Sequence, residues 1–394
     1  MDKIIAKWHI SIKEIAQSDW NSLIDSDSIP FYRWHWLHAL EKSNSIIPKY
    51  GWQPLYLGIY KNNCLLAIAP LYLKGHSYGE FIFDNQFFHL ASQLGINYYP
   101  KLVGMSPVSP IQGYKFLFSE GADNEELTKF MIKEIDQFCI KNQILSCNFL
   151  YVDSQWRVLA EKAECATWLN QSSLWSAGNS KNFSDYLAGF NSNQRRNIKR
   201  ERQRVQDHNI AISVRKGIDI DIPSMKLMHN FYQNHCARWG TWGSKYLSES
   251  FFEELASPQL REQTILFCAT KKQSIDTLAM SLCITNGTSL WGRYWGSEIE
   301  VDSLHFELCY YSPIEWALEN GIQHFDPGAG GSHKKRRGFI AQSSTSLHRW
   351  YNKKMDSIIR SWLPKVNQLM IEEIKATNNE VPFKCNKPKL SNMK

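Results

Sequence analysis

The stretch FDPGAGGSHKKRRGF, residues 325–339, sets Gly328, Gly330 and Gly331 just ahead of four consecutive cations, Lys334, Lys335, Arg336 and Arg337. Glycine lets a backbone approach a ligand closely, and ammonium and guanidinium groups hold anions. Two phosphate-loop templates fail here on spacing. The nucleotide-triphosphate loop requires G-x-x-x-x-G-K-[ST], but five residues after Gly328 stands His333, and Ser332 precedes the lysines. The dinucleotide fingerprint G-x-G-x-x-G meets His333 where its third glycine belongs. Two readings remain open: an anion cradle, or a glycine turn followed by a solvated basic run.

A second basic element, NSNQRRNIKRERQRVQ, places Arg195, Arg196, Lys199, Arg200, Arg202 and Arg204 along one predicted helix. Residues 195, 199 and 202 share a face, with 196 and 200 beside them. Ile198 and Val205 supply its apolar seam, and Asn191, Ser192 and Asn193 can cap its start. Six cations against Glu201 exceed what solubility requires, so a phosphate-rich ligand competes with a plain solvated face. No RNA-binding signature interleaves aromatic residues with these arginines.

The elements that must position these groups read as two halves. At 394 residues the chain suits two domains. Residues 54–74 read as two strands joined through an Asn-containing turn, and residues 265–295 repeat that plan with a third strand after Asn286-Gly287. Each meander is followed by a helix and a short apolar strand: 124–142 then 144–152, and 303–320 then IQHFD. Pro313 bends or breaks the later helix. Ser250 and Glu253 have capping-box spacing. A Ser/Asn/Gly-rich stretch at 170–182 marks the domain boundary, a helix disturbed by Pro364 follows Trp350, and NKPKLSNMK reads as a disordered basic tail. The expected fold is α/β (α+β), with a mixed, largely antiparallel sheet flanked by helices in each domain: 1–175, 176–350, and a C-terminal helix and tail at 351–394.

Nine cysteines without a C-x-x-C pair or metal-like spacing imply neither a zinc site nor a disulfide framework, so a cytoplasmic location is expected and no metal is implied. The longest apolar run, CLLAIAPLYL, falls short of the roughly 20 residues a spanning helix needs.

The run from Ser289 to Trp350, together with FSDYLAGFNSNQRRNIKRERQRV, LYLKGHSYGEFIFD and NYYPKL, resembles a bacterial family of N-acyltransferases described as peptidoglycan biosynthesis or recognition proteins, related to FemAB-like tandem GNAT enzymes. The resemblance implies two tandem GNAT-like domains. It implies an N-acyltransferase that moves an acyl or aminoacyl group to an amine, as on a cell-wall precursor. No tightly bound cofactor is implied. The acyl donor is a co-substrate, either aminoacyl-tRNA or acyl-CoA. Where GNAT enzymes seat the coenzyme A pyrophosphate, this chain reads Arg293-Tyr294-Trp295-Gly296-Ser297-Glu298, with Glu300 and Asp302 close behind. Carboxylates beside a pyrophosphate are unfavourable, which favours charged tRNA, a partner suited to Arg195, Arg196, Lys199 and Arg200.

The same resemblance implies Lys334 as the cation that steadies the tetrahedral oxyanion, with Lys335 as alternate. Arg336 and Arg337 suit the phosphate of an acceptor, and Gly328 and Gly330 the close approach of the loop. His305, Glu307 and His333 are candidates to accept or relay a proton. Arg293 suits a substrate carboxylate or a pairing with Glu298, and Asp326 suits backbone hydrogen bonds that orient the loop. Lys74, His76, Tyr98, Tyr99 and Lys101 are the first domain's contribution to a cleft. The competing reading is a noncatalytic binder of tRNA or of a phosphate-bearing ligand on the same fold. Peripheral contact with an anionic membrane is a third.

Overall fold

A computed structural model describes residues 4–25, 28–238, 240 and 245–384. The chain forms two compact units: Met1–Gln171 with Tyr246–Glu254 and Ser343–Glu372, and Ser172–Lys245 with Leu255–Gln342 and Glu373–Lys394. These units interleave along the chain, whereas the domains expected at 1–175, 176–350 and 351–394 each ran as one stretch.

The first unit contains β1 (Ile4–His9), β2 (Trp52–Pro54), β3 (Tyr56–Lys61), β4 (Cys64–Ala69), β5 (Tyr72–Lys74), β6 (Lys101–Gly104), β7 (Leu117–Phe118) and β8 (Ser146–Phe149). One antiparallel sheet runs β1-β3-β4-β7. Asn62 and Asn63 hold positive φ (51° and 65°) between β3 and β4, the demand of a two-residue hairpin turn that asparagine tolerates. A second run pairs β2 with β5 and β5 with β6 antiparallel, then β6 with β8 parallel. Parallel neighbours need a crossover, and this one carries the helix Asn124–Lys141, whose first turn is capped by the Asp123 carboxylate. Leu57, Ile59, Leu102, Phe116, Met131, Phe149 and Trp156 build the core.

The second unit repeats the plan. After β9 (Ala166–Ser176) come β10 (Ile210–Lys216), β11 (Thr264–Lys271), β12 (Thr277–Thr285), β13 (Ser289–Ser297) and β14 (His324–Asp326). The pairings β10-β11-β12-β13 are antiparallel, β13 and β14 are parallel, and β14 meets Trp175 and Ser176 of β9 antiparallel. Asn286 accepts backbone hydrogen bonds from Thr288 and Ser289, and Gly287 takes φ 92°, which makes the expected hairpin. Within the first unit, residues Leu347–Trp350 of a last strand, β15 (Ile340–Trp350), pair antiparallel with β8.

Several local expectations are corrected. The single helix at 303–320 is three pieces: Leu304–Phe306, a π turn at Glu307–Tyr311, and Ser312–Glu319. Pro313 has no N–H to give the Cys309 carbonyl and its ring would crowd it, and the wide turn absorbs both demands. The boundary stretch at 170–182 is strand as far as Ser176, because β9 pairs with β14 despite its polar composition. The helix Lys353–Asn379 runs through Pro364, which sits on its exposed side. The helix Glu249–Leu255 is capped by Ser248, whose Oγ accepts from Phe251 N at 3.3 Å, two residues before the expected Ser250. The basic tail NKPKLSNMK lies outside the described residues.

Candidate active site

The site begins with an irregularity in β13. Leu282 opposes Tyr294 while Cys283 opposes Gly292, so Arg293 is the extra residue of a β-bulge, a device that re-aims a side chain. Gly292 has no side chain to hold the next layer away: a Cβ there would lie 3.3 Å from the Phe325 ring. Beside it β14 ends at Asp326, whose carboxylate accepts from Gly328 N at 2.8 Å, the loop-orienting role expected of it. Gly328 has φ 82°, and a Cβ on it would stand 3.1 Å from the Gly292 carbonyl oxygen. The glycine loop therefore lies directly on the bulge.

Residues Ser332–Arg337 then form a 3-10 helix. Its three-residue period eclipses positions 334 and 337, and both turn inward: Lys334 is 3% exposed and Arg337 2%. The Lys334 ammonium donates to the Gly328 carbonyl at 2.6 Å and the Ala329 carbonyl at 3.1 Å. Burial lowers its pKa to about 8, with Asp326 opposing that shift and Arg293 adding to it. Asp326 is itself raised by burial, against its bond from Gly328 and the charges of Arg293 and Lys334.

A ring cluster adjoins the lysine. Tyr310 Oη and His333 Nε2 share a hydrogen bond of 2.8 Å, and the His305 ring is 5.5 Å from Tyr310 and 5.7 Å from His333. The π turn brings residues 305 and 310, five apart, to one side. Burial, followed by the charge of His333, pushes His305 to about 3. Burial and the charges of Arg337 and Lys334 also lower His333. Burial thus favours the neutral form of both imidazoles, most strongly at His305.

Other expected members stand elsewhere. Glu307 is buried and takes bonds from Arg202 at 2.9 and 3.1 Å and from Ser312 Oγ at 2.9 Å, which anchor it among its neighbours. Arg337 donates to Glu201 at 2.7 Å and to the His333 carbonyl at 3.0 Å, with its guanidinium 3.4 Å from the Phe306 ring centroid. Its charge is matched by Glu201 within the unit. Lys335 pairs with Glu380. Arg336 is exposed. Residues Arg293–Ser297 belong to β13, so the expected pyrophosphate loop there is strand. The exposed Gly330 keeps φ 67° in the loop.

The helix Ser192–Asp207 forms as expected, capped by Asn191, whose side chain accepts from Gln194 N at 2.9 Å. Ile198 and Val205 are fully buried, each contributing roughly 2 kcal/mol. Arg196, Lys199 and Arg200 are exposed, whereas Arg195 is half-buried on the Phe190 carbonyl, Arg202 binds Glu307 and Glu315, and Arg204 pairs with Asp302. A cleft of about 430 Å³ lined by Arg202, Gln206, Ile210, Lys272 and Glu307 lies toward the C-terminal end of this helix. Lys334 is not in its lining.

In the first unit, Lys74, Tyr98 and Lys101 are buried. Lys101 binds Glu80 at 2.7 Å, Ser77 Oγ at 2.7 Å and Asp84. Tyr98 donates to Asp84 at 2.6 Å, and Tyr99 bonds Ser77 at 2.9 Å. Lys74 lies 3.3 Å from the Trp52 ring centroid and donates to the Tyr78 carbonyl, and burial lowers it to about 7. His76 is partly exposed beside Tyr78.

Sequence reasoning missed Tyr310 and the Glu201–Arg337 pair. The lone Glu201 among six cations was the available signal for the pair. For Tyr310, Pro313 was the signal that the helical phase shifts.

What these observations assemble is a two-unit α/β protein in which a late glycine loop covers a buried lysine. The chain belongs to the FemAB-like family of peptidoglycan biosynthesis/recognition, whose model matches residues 11–385. Among solved structures it is similar to FemX, with a TM-score of 0.52 at 11% identity over 91% of this chain and 100% of that one. It is similar also to the C-terminal domain of a lysylphosphatidylglycerol synthetase candidate from Agrobacterium fabrum, with a TM-score of 0.50 at 7% identity over 89% and 96%. A tandem GNAT protein from the clavulanic acid pathway gives a TM-score of 0.42 at 7% identity over 89% and 99%. At these identities the likeness to FemX and to the synthetase domain shows the fold. A comparison with curated proteins gives no match. Among the described residues no helix is long and apolar enough to cross a membrane.

Proposed function

We propose that the protein is an N-acyltransferase that moves an aminoacyl or acyl group onto an amine of a cell-wall precursor, with Lys334 as the oxyanion-stabilising cation. The observation that carries this reading is the Lys334 ammonium itself, enclosed yet tethered to two loop carbonyls, Gly328 and Ala329, rather than to a carboxylate. A buried cation bonded to carbonyls, with Asp326 near but not in direct contact, is suited to charge that develops only during reaction. Displacement of the glycine loop exchanges those carbonyls for the oxyanion.

In the proposed step the neutral acceptor amine attacks the ester carbonyl of the donor. The C–N bond forms, the carbonyl oxygen takes the negative charge opposite Lys334, and collapse breaks the bond to the ribose oxygen. The nitrogen loses a proton to the neutral His333–Tyr310 pair, and the departing ribose oxygen takes one up, so charge balances. Arg293, aimed by the bulge, suits a substrate carboxylate. The exposed Arg336 suits an acceptor phosphate.

Exposed Arg196, Lys199 and Arg200 support charged tRNA as donor. Glu298 and Glu300 ahead of the helix of Leu304 weigh against a coenzyme A pyrophosphate there, whereas Asp302 is offset by Arg204. The noncatalytic reading is favoured by one observation, that Lys334 is covered. The test is Lys334→Met assayed for both transfer and tRNA affinity. Lost turnover with retained affinity supports the enzyme, and lost affinity with no turnover in either protein supports the binder.

A further inference from the structure

In a chain with 15 Trp, 17 Tyr and 20 Phe, four such rings among the described residues are largely exposed, and all four fall between positions 50 and 88 of the first unit. They are Tyr50 (52%), Tyr78 (66%), Phe83 (78%) and Phe88 (42%). Exposed apolar surface gathered in one place marks an interaction site. The segments that carry the rings are tied together. Gly75 N donates to the Gly51 carbonyl at 3.3 Å, and the His76 ring fills the space a side chain at Gly51 would need. Ser77 Oγ bonds both Asp84, next to Phe83, and Tyr99, whose ring is 6.1 Å from Phe88.

Charge completes the pattern. Residues 47–51 and 75–101 contain two carboxylates, Glu80 and Asp84, and both are buried on Lys101. Their surface offers the exposed Lys49 and His89 but no carboxylate. The buried ion cluster thus does two things at once: it fixes the loop from beneath and withdraws its negative charge from the surface. Exposed rings with a cation suit the headgroup layer of a bilayer, where aromatic side chains settle and anionic lipid attracts lysine. A sugar platform would present carboxylates to the hydroxyls beside amides such as the exposed Asn85 and Gln86, and both carboxylates of these segments are buried.

We infer that Tyr50, Tyr78, Phe83 and Phe88, with Lys49, form a face by which the first unit docks peripherally on an anionic lipid bilayer. The experiment is co-sedimentation of the full chain with phosphatidylcholine vesicles, with and without phosphatidylglycerol. Wild-type protein is expected on the phosphatidylglycerol vesicles. Tyr78→Ser with Phe83→Ser lowers the partition coefficient about tenfold or more at an unchanged thermal melt, and Lys49→Glu lowers it as well. Tyr50→Ser with Phe88→Gln is the second pair, read the same way if the first shifts the melt. Equal partition of wild type and both ring variants overturns the inference, as does binding lost only with Arg196→Glu and Lys199→Glu. Absence of vesicle binding also overturns it, and ring-dependent retention on isolated glycan strands in that case assigns the face to carbohydrate.

Discussion

The Lys334 ammonium rests 2.6 Å from the Gly328 carbonyl oxygen, so the glycine loop and the cation behind it form one device. Gly328 adopts φ 82° with 3.1 Å between a notional Cβ and the Gly292 oxygen. Gly328→Ala therefore strains the backbone and lifts the loop from the bulge. A loss of roughly 1–2 kcal/mol in urea unfolding is expected, together with a turnover loss larger than a distant Gly95→Ala control.

The pH dependence follows from the depressed lysine. A base whose folded pKa falls from 10.5 to about 8 binds fewer protons folded than unfolded. Its burial cost is fully present below about pH 8 and is relieved as pH rises from there toward 10.5. The stability advantage of Lys334→Met over wild type should shrink across that window, as read from urea midpoints. The transfer rate should decline over the same rise, because the ammonium is lost.

Glu307 offers a test of structure against chemistry. It was a candidate for proton transfer, yet Arg202 grips it in the interior. Arg202→Ala leaves a buried carboxylate unpaired and should cost about 3 kcal/mol or more, and Arg202→Ala with Glu307→Gln should recover part of it. A double-mutant cycle on unfolding checks this. A catalytic Glu307 would instead show as lost turnover with unchanged stability.

The exposed cations of the helix Ser192–Asp207 should act through charge alone. Arg196→Gln, Lys199→Gln and Arg200→Gln together are expected to weaken tRNA binding and to lower the slope of log affinity against log salt by about 2. Arg204→Gln, whose charge is matched by Asp302, should change the slope little. Fluorescence titration across a salt series distinguishes the two.

Local chemistry was legible where a residue type has one structural use. Asn286-Gly287 made its hairpin, Asn191 capped its helix, and the apolar seam of Ile198 and Val205 found the core. The meander, crossover helix and strand could be read twice for the same reason. Direction of charge was harder to see. Lys334 and Arg337 turn inward and Arg336 outward because a 3-10 helix has a period of three, and composition does not announce that period. Likewise the bulge at Arg293 exists only through pairing with β12, and the reach of β9 through its Ser/Asn stretch only through pairing with β14. Tertiary partners decided both.

The most direct measurement is single-turnover transfer of labelled amino acid from charged tRNA to an amine-bearing muropeptide precursor, with Lys334→Met beside wild type and tRNA affinity measured in parallel. The account predicts transfer by wild type and a loss of roughly 100-fold or more in the variant, with affinity within about twofold. Equal transfer rates in the two proteins would contradict it.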